Sequence, residues 1–216
     1  MATKFGRQLK RRFAVPYACY KLVTKQGSFI QESGWIESIR TSTPCDQSGQ
    51  PVPWMNYSMV EFLRERLQSS HRVFEYGSGF STCFFGERCD SVISVEYDAA
   101  WLERVREIIP ANASIIYQPE DVDADYCRCI HHQNAEFDLV VVDGRDRVNC
   151  VRQAVQCLTP TGVILLDDTE RARYQDAFDD LDQQGFRHLT LSGIKPGNPC
   201  RNQTTIFYRT QNCFGI

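Results

Sequence analysis

The chain has 216 residues, of which 42% are hydrophobic and 24% are charged, and its formal net charge is −3. This composition is ordinary for a globular domain and argues against a disordered or fibrous protein, and the length allows a hydrophobic core without disulfide bonds. No run of about 18 apolar residues occurs in the sequence, so we expect no membrane-spanning helix.

The N-terminal segment is basic, whereas the rest of the chain is acidic. Residues 1–25 contain no acid, and their cationic residues are Lys4, Arg7, Lys10, Arg11, Arg12, Lys21 and Lys25. An acidic body is not typical of a nucleic-acid-binding domain, which carries a basic face, so we expect no nucleic-acid partner. The basic arm is consistent either with a solvated helix or with weak contact to acidic lipid or a phosphate-bearing partner.

The chain has ten cysteines but no apolar signal region at its N-terminus, so we expect reduced thiols and a cytoplasmic protein. Cys127, Cys129, His131 and His132 form a C-x-C-x-H-H cluster. This spacing differs from the C-x₂₋₄-C pairs of zinc sites, and alternate residues of a helix point in different directions. We therefore favour apolar packing of these thiols over zinc binding.

A regular alternation of elements begins near residue 54, so we divide the chain into a basic arm and cap segment (1–52) and a main domain (53–216). Hydrophobic periodicity predicts helices over residues 57–67, 81–88, 99–109, 123–134, 148–158 and 171–184. Short apolar runs predict strands over residues 72–76, 92–96, 114–117, 137–142, 163–166, 187–191 and 204–209. This order predicts an α/β fold with a parallel sheet covered on both faces, which binds ligands beyond the carboxyl ends of its strands.

A glycine turn follows the first predicted strand. The candidate cofactor-binding residues there are Glu75, Gly77, Ser78, Gly79 and Ser81. A dinucleotide fingerprint would have its third glycine where Thr82 stands. The Glu75 carboxylate would repel a pyrophosphate but attract an ammonium group, which favours a cofactor such as S-adenosylmethionine.

Acidic residues also follow the second and third predicted strands. Glu96 ends the second strand, where an acid can accept both hydroxyls of a ribose. The neighbouring Tyr97 is a candidate for contact with an adenine ring. Glu120 and Asp121 follow the third strand, and we assign Asp121 to the adenine amino group as a candidate cofactor-binding residue.

Three carboxylates follow the fourth and fifth predicted strands, which should be neighbours. Asp143, Asp167 and Asp168 are expected to converge there, and clustered carboxylates are costly without a cation. Mg²⁺ is a natural occupant of such a site, where it would lower the pKa of a substrate hydroxyl. The alternative is that Asp168 caps the next helix while Arg147 or Arg171 neutralises the other acids.

With these motifs the sequence resembles the class I S-adenosylmethionine-dependent methyltransferases over residues 53–209. The resemblance rests on E-Y-G-S-G at 75–79, S-V-E-Y at 94–97 and D-L-V-V-V-D-G at 138–144. More narrowly, the chain is similar to small bacterial methyltransferase-like proteins without an assigned substrate. The resemblance implies a Rossmann-like three-layer sandwich, whose mostly parallel seven-stranded sheet ends in an antiparallel strand, and S-adenosylmethionine as cofactor.

The acidic trio is also similar to that of metal-dependent O-methyltransferases of the catechol and macrolide-sugar types, although no lysine base follows the fourth strand. We therefore expect O-methylation of a small hydroxylated molecule, such as a sugar or glycan precursor, with Asp143 as the catalytic residue or a metal ligand. The alternatives are a non-catalytic cofactor-binding module and an NAD-dependent oxidoreductase. The sequence leaves the acceptor and the oligomeric state open.

Overall fold

The computed structural model describes the backbone of residues 4–216 and the side chains of residues 13–216. Its N-terminal part contains helices α1 (Lys4–Thr24), α2 (Phe29–Glu32) and α3 (Trp35–Thr41). Hydrophobic periodicity does not reveal α1, because its side chains from Phe13 onward are all exposed and form no buried stripe. The predicted contact with lipid or phosphate was based on the basic residues of this arm. Most of them precede residue 13, so their side chains lie outside the described part of the structure.

The main domain alternates strands and helices. Its helices are α4 (Tyr57–Arg66), α5 (Phe80–Gly86), α6 (Ala99–Arg106), α7 (Asp125–Arg128), α8 (Arg147–Ala154) and α9 (Gln175–Gln183). Its strands are β1 (Arg72–Tyr76), β2 (Ser91–Glu96), β3 (Ala113–Tyr117), β4 (Phe137–Val142), β5 (Leu158–Asp167), β6 (Arg187–Lys195) and β7 (Asn198–Tyr208). Short 3₁₀ turns extend α7 and α8 and precede α9.

The strands form one sheet in the order β3-β2-β1-β4-β5-β7-β6. Strands β1 to β5 pair in parallel, whereas β7 lies antiparallel to both β5 and β6. The predicted Rossmann-like α/β fold, with its mostly parallel seven-stranded sheet, is therefore confirmed. The strand order reverses at β1 and β4, so the loops after these two strands lie at the edge where such sheets bind ligands.

Both faces of the sheet are buried, and alternate strand residues supply two separate hydrophobic clusters. In β1, Phe74 belongs to the cluster that includes residues of α8 and α9, and Val73 belongs to the cluster that includes residues of α4 and α5. Val140 and Val141 divide between the same two clusters in β4. The unbroken apolar run of β4 follows from this burial on both faces.

Three strands are longer than the sequence predicts. Strand β5 begins at Leu158, so Pro160 and Gly162 lie within it rather than ending the preceding helix. The pairing of β5 with β4 shifts register near Phe137, and such an irregularity is where a strand tolerates proline. Strand β6 continues to Lys195, and strand β7 already begins at Asn198, so the two strands form a long hairpin.

Asn56 ties the start of α4 to this hairpin. Its side-chain oxygen accepts a hydrogen bond from the Met59 backbone N–H at 3.0 Å, which caps the helix. Its amide group donates to Asn202 Oδ1 at 3.2 Å and Thr204 Oγ1 at 3.0 Å, and the residue is fully buried. The hairpin is thereby held over the carboxyl ends of the central strands.

Replacing Asn56 should destabilise the protein more than replacing its exposed neighbour Ser58. We expect Asn56→Ala to lower the free energy of unfolding by about 3 kcal/mol, because it removes the cap and leaves buried polar partners unsatisfied. Ser58→Ala should cost less than about 1 kcal/mol. Urea unfolding of the two variants measures the difference, and equal losses would contradict this role of Asn56.

Candidate active site

The loops after β1, β2 and β4 line a cavity of about 790 Å³, which we call the first cavity. The predicted residues that line it are Glu75, Gly77, Ser78, Gly79, Ser81, Glu96, Tyr97 and Asp143. The N-terminal segment closes the opposite side, where α3 contributes Ser38 and Ile39, and the following loop contributes Pro44. Eight residues chosen from separate motifs thus lie around one space.

Two glycines allow the loops after β1 and β4 to lie close together. Gly77 has a φ of +99°, and a Cβ atom there would lie 3.2 Å from the Gly144 nitrogen. A Cβ atom on Gly144 would lie 2.1 Å from Tyr126 Oη. Larger residues at either position would separate the two loops or strain the backbone, so the floor of the cavity depends on both glycines.

Glu75 is a buried carboxylate that lines the first cavity. Its Oε2 atom accepts hydrogen bonds from Thr82 Oγ1 at 2.6 Å and Ser94 Oγ at 2.7 Å. Burial raises the pKa of Glu75 to about 7, and hydrogen bonds from serine and threonine hydroxyls oppose that shift. A cation placed beside this carboxylate would favour its ionised form.

Thr82 occupies the position at which a dinucleotide fingerprint has a glycine, and its side chain stabilises the turn. The hydroxyl that donates to Glu75 also accepts a hydrogen bond from the Gly79 backbone N–H at 3.0 Å. The residue is fully buried. Thr82 therefore couples the shape of the glycine turn to the carboxylate behind it.

Glu96 accepts hydrogen bonds at both of its carboxylate oxygens. Oε2 accepts from the Ser78 backbone N–H at 3.1 Å and the Ser78 hydroxyl at 2.8 Å. Oε1 accepts from the backbone N–H groups of Tyr97 and Asp98, each at 2.9 Å. The carboxylate is thereby fixed at the cavity wall, and Ser78 is a partner that the sequence did not identify.

Aromatic side chains surround the cavity beyond Glu96. The Arg145 guanidinium lies 4.6 Å from the centre of the Tyr97 ring, donates to Tyr97 Oη at 2.9 Å and pairs with Glu120 at 3.0 Å. Trp101 donates from Nε1 to the Ser78 carbonyl at 2.8 Å. Trp101 was not predicted as a site residue, because its place on an amphipathic helix gave no signal.

Asp121 is not among the residues that line the first cavity. Its carboxylate accepts a hydrogen bond from the Tyr126 backbone N–H at 3.1 Å, near the start of α7. The structure therefore separates Asp121 from the other predicted cofactor-binding residues.

The three carboxylates after β4 and β5 converge as expected. One oxygen from each of Asp143, Asp167 and Asp168 lies within 4.8 Å of the others. Arg147 contacts Asp143 at 2.8 Å, and Lys195 contacts Asp168 at 2.9 Å and Asp167 at 3.4 Å. A further cation, Arg171, contacts Asp168 at 2.7 Å.

Burial and these cations set the ionisation of the trio. Burial raises the pKa of Asp167 to about 7, and the charge of Asp143 acts in the same direction. Burial also opposes ionisation of Asp168, but its hydrogen bond with Lys195 and the nearby cations hold its pKa below the usual value. Burial tends to lower the pKa of Lys195, but the charge of Asp167 and the contact with Asp168 raise it overall. Lys195 is therefore a cation and not a proton acceptor.

The donor set of this trio does not fit a resident Mg²⁺. Oxygen ligands are present, but the ion would lie beside the Lys195 ammonium and the Arg147 guanidinium, which already neutralise these carboxylates. These contacts therefore favour neutralisation by basic side chains, and the use of Asp143, Asp167 and Asp168 as metal ligands stays a prediction. Lys195 was missed because its partners are distant in sequence and the hairpin was predicted too short.

A second cavity of about 480 Å³ lies between the acidic trio and the β6–β7 hairpin. Trp54 and Asp143 line both cavities. Trp54 is 57% exposed, and its Nε1 atom donates to the Pro196 carbonyl at 3.0 Å. The two spaces are therefore adjacent, with one carboxylate and one aromatic ring in common.

The two cysteines of the cysteine and histidine cluster pack in the core, whereas His131 is half-buried and His132 is exposed. Cys127 and Cys129 are buried free thiols, and burial raises the pKa of Cys129 to about 12. His131 bonds to Gln153 at 2.9 Å through Nε2 and contacts Cys157 at 3.3 Å through Nδ1. These contacts support apolar packing over the zinc alternative.

Solved structures with a similar fold are methyltransferases for the most part. One is the O-methyltransferase TomG from Streptomyces achromogenes in complex with S-adenosylmethionine, with a TM-score of 0.58 at 13% identity. The aligned region covers 93% of this chain and 98% of the TomG chain. Another is an rRNA methylase from Streptococcus thermophilus, with a TM-score of 0.55 at 14% identity. The aligned region covers 71% of this chain and 96% of the methylase chain. The chain has the class I methyltransferase fold.

The same fold also occurs with another named activity. Spermidine synthase from Thermotoga maritima has a TM-score of 0.51 at 14% identity, and the aligned region covers 68% of this chain and 56% of the synthase chain. The sequence matches no protein-family model and no curated protein. At these identities the similarity establishes the fold, and the reaction has to be argued from the site.

Within residues 4–216, the structure has no helix that is both long and apolar enough to cross a membrane.

Mg²⁺ should not stabilise the wild-type protein, because Lys195 and Arg147 already neutralise the carboxylates. We expect Lys195→Ala to lower the free energy of unfolding by about 3 kcal/mol, since it leaves the buried Asp167 without a cation in contact and removes one of the cations around Asp168. Millimolar Mg²⁺ should then raise the melting temperature of Lys195→Ala but not that of the wild type or of the exposed control Lys21→Ala. A wild-type melting temperature that falls with a chelator and returns with Mg²⁺ would contradict this assignment.

Proposed function

We propose that the protein is an S-adenosylmethionine-dependent methyltransferase that methylates a hydroxyl group of a small molecule. The observation that carries the proposal is the position of Asp143, which lines both the first cavity and the adjacent second cavity. The first cavity has the charges and glycine turn suited to the cofactor. The second cavity provides a separate space for an acceptor within reach of the same carboxylate.

The residues of the first cavity fit the three parts of the cofactor. Glu75 is suited to the ammonium group, because a cation relieves the cost of ionising a buried carboxylate. The Gly77–Gly79 turn, with Ser78 and Ser81 beside it, admits the ligand close to the backbone. Glu96 would hold the ribose hydroxyls, which requires the Ser78 hydroxyl to give up its hydrogen bond.

The adenine end of the cofactor is assigned to Tyr97 and Asp121. Arg145 lies over the Tyr97 ring and orients it at the cavity wall. Asp121 accepts a backbone hydrogen bond at Tyr126, and a carboxylate retains further lone pairs for an amino group. Of the proposed cofactor-binding residues, Asp121 is the one outside the cavity lining.

When bound, S-adenosylmethionine supplies a methyl group, so that an oxygen–carbon bond forms, the carbon–sulfur bond breaks and its electron pair stays on sulfur. Asp143 would accept the proton of the acceptor hydroxyl. Burial raises the pKa of this carboxylate above its ordinary value, which makes it a better base. Arg147, at 2.8 Å, fixes the Asp143 side chain in position.

A small acceptor fits the site better than a nucleic acid. The second cavity has a volume of about 480 Å³, which suits a small molecule, and the main domain is net acidic, which opposes binding of a phosphate backbone. The sugar or glycan acceptor remains part of the proposal, because an exposed tryptophan is suited to the face of a sugar ring. The free state of all ten cysteines supports a reducing compartment such as the cytoplasm.

S-adenosylmethionine should raise the melting temperature of the wild-type protein, whereas NAD should not. At 100 times its dissociation constant a ligand stabilises the native state by about 2.7 kcal/mol. Glu96→Ala should remove most of this shift, and the exposed control Glu65→Ala should retain it. No shift with S-adenosylmethionine would refute the proposed cofactor, and a shift with NAD alone would favour the oxidoreductase alternative.

Methyl transfer is tested separately with a labelled methyl donor and a cell extract. We expect a labelled product with the wild-type protein and loss of most label with Asp143→Asn, provided that this variant still binds the cofactor. Cofactor binding without any labelled product would favour the non-catalytic module.

Cofactor affinity should depend on pH through Glu75. Below its pKa of about 7, binding of an ammonium group has to displace a proton from this carboxylate. The affinity for S-adenosylhomocysteine should therefore rise by up to about tenfold per pH unit below 7 and level off above it. Calorimetric titration should show this rise for the wild type and the control Glu65→Gln but not for Glu75→Gln. An affinity of the wild type that does not change with pH would contradict the proposed contact between the ammonium group and Glu75.

A further inference from the structure

The second cavity contains more positive than negative charge. Its basic lining residues are Arg147, Arg171, Lys195 and Arg201, and its acidic ones are Asp143, Asp168 and Glu170. Arg147 and Lys195 are committed to the acidic trio. Arg171 and Arg201 are therefore the more exposed cations of the lining.

Arg201 is the cation with the weakest internal partner. Its guanidinium donates to Ser192 Oγ at 3.4 Å, and no carboxylate of the described residues lies within ion-pair distance. Glu170, the nearby acid in the lining, accepts a hydrogen bond from the Gln203 backbone N–H at 2.9 Å instead. The Arg201 guanidinium thus has donors available to a ligand.

Arg171 adds a second, partly satisfied cation. It pairs with Asp168 at 2.7 Å, but Asp168 also contacts Lys195 at 2.9 Å and Arg147 at 3.5 Å. Arg171 nevertheless keeps 44% of its side chain exposed. Its guanidinium therefore retains N–H donors that an added anion could accept.

Asp143 and Trp54 also line this cavity. Asp143 is the proposed base, and Trp54 presents an exposed ring held in place by its bond to the Pro196 carbonyl. A ligand in this space would thus meet an aromatic surface, a proton acceptor and guanidinium groups within one lining. This arrangement selects for a molecule with a hydroxyl and an anionic group on one ring or short chain.

We propose that the second cavity is the acceptor site and that it selects a hydroxylated molecule carrying a carboxylate or phosphate group, bound by Arg201 and Arg171. The hydroxyl then lies toward Asp143 and the ring of the acceptor packs on Trp54. This inference rests on the proposed methyltransferase function and adds the charge of the substrate to it.

The experiment uses the full-length protein saturated with S-adenosylhomocysteine and two simple probes, inorganic phosphate and acetate, at low ionic strength. We expect at least one probe to bind by calorimetry and to raise the melting temperature. Arg201→Gln should weaken that binding about tenfold, while Arg187→Gln, an exposed arginine at the far end of β6, leaves it unchanged. Preference for phosphate indicates a phosphate ester as acceptor, and preference for acetate indicates a carboxylate.

Two results would overturn the inference: no binding of either probe to the wild type, or equal binding to the wild type and Arg201→Gln. The proposed function fails in a distinguishable way, since it requires S-adenosylhomocysteine itself to bind before either probe is added. Labelled methyl transfer to an extract then supplies a second comparison, in which Arg201→Gln raises the KM for the acceptor more than it lowers kcat.

Discussion

The packing of three carboxylates at the ends of β4 and β5, with Asp167 and Asp168 buried and Asp143 half-buried, is the constraint on which the rest of the site depends. Such a cluster is unstable without compensating charge. The chain supplies that charge from two directions, with Arg147 at the start of α8 and Lys195 at the end of β6. The hairpin therefore lies over the strand ends, and its residues line part of both cavities.

Hydrogen bonds extend this constraint to the N-terminal half of the chain. Thr204 donates to Asp167, and Asn202 donates to Asp168 at 3.0 Å. The same two hairpin residues accept from Asn56, which caps α4. The segment leading into α4, the hairpin and the acidic trio are therefore one connected polar network, and a change at one member alters the geometry of the others.

The sheet was predictable because its strands are apolar on both faces and are separated by clear turns. The first cavity was predictable for a related reason: parallel strands bring their carboxyl ends to one edge, so Glu75, Glu96 and Asp143 had to lie near one another. The contacts of Lys195 were not predictable, since they depend on a hairpin whose length no local pattern indicates. The bond between Ser78 and Glu96 likewise needed coordinates, because a serine in a glycine turn has no fixed partner in sequence.

The division of labour between the two cavities has a consequence for how such a protein diversifies. Asn198, Cys200, Arg201 and Asn202 of the hairpin line the second cavity, whereas Pro196 and Gly197 line the first. Insertions or deletions beyond the tip would thus change the second cavity and leave the rest of the first cavity unchanged. Related proteins could acquire new specificities through changes in the β6–β7 hairpin alone, while the contacts of Lys195 with Asp167 and Asp168 kept the hairpin in place.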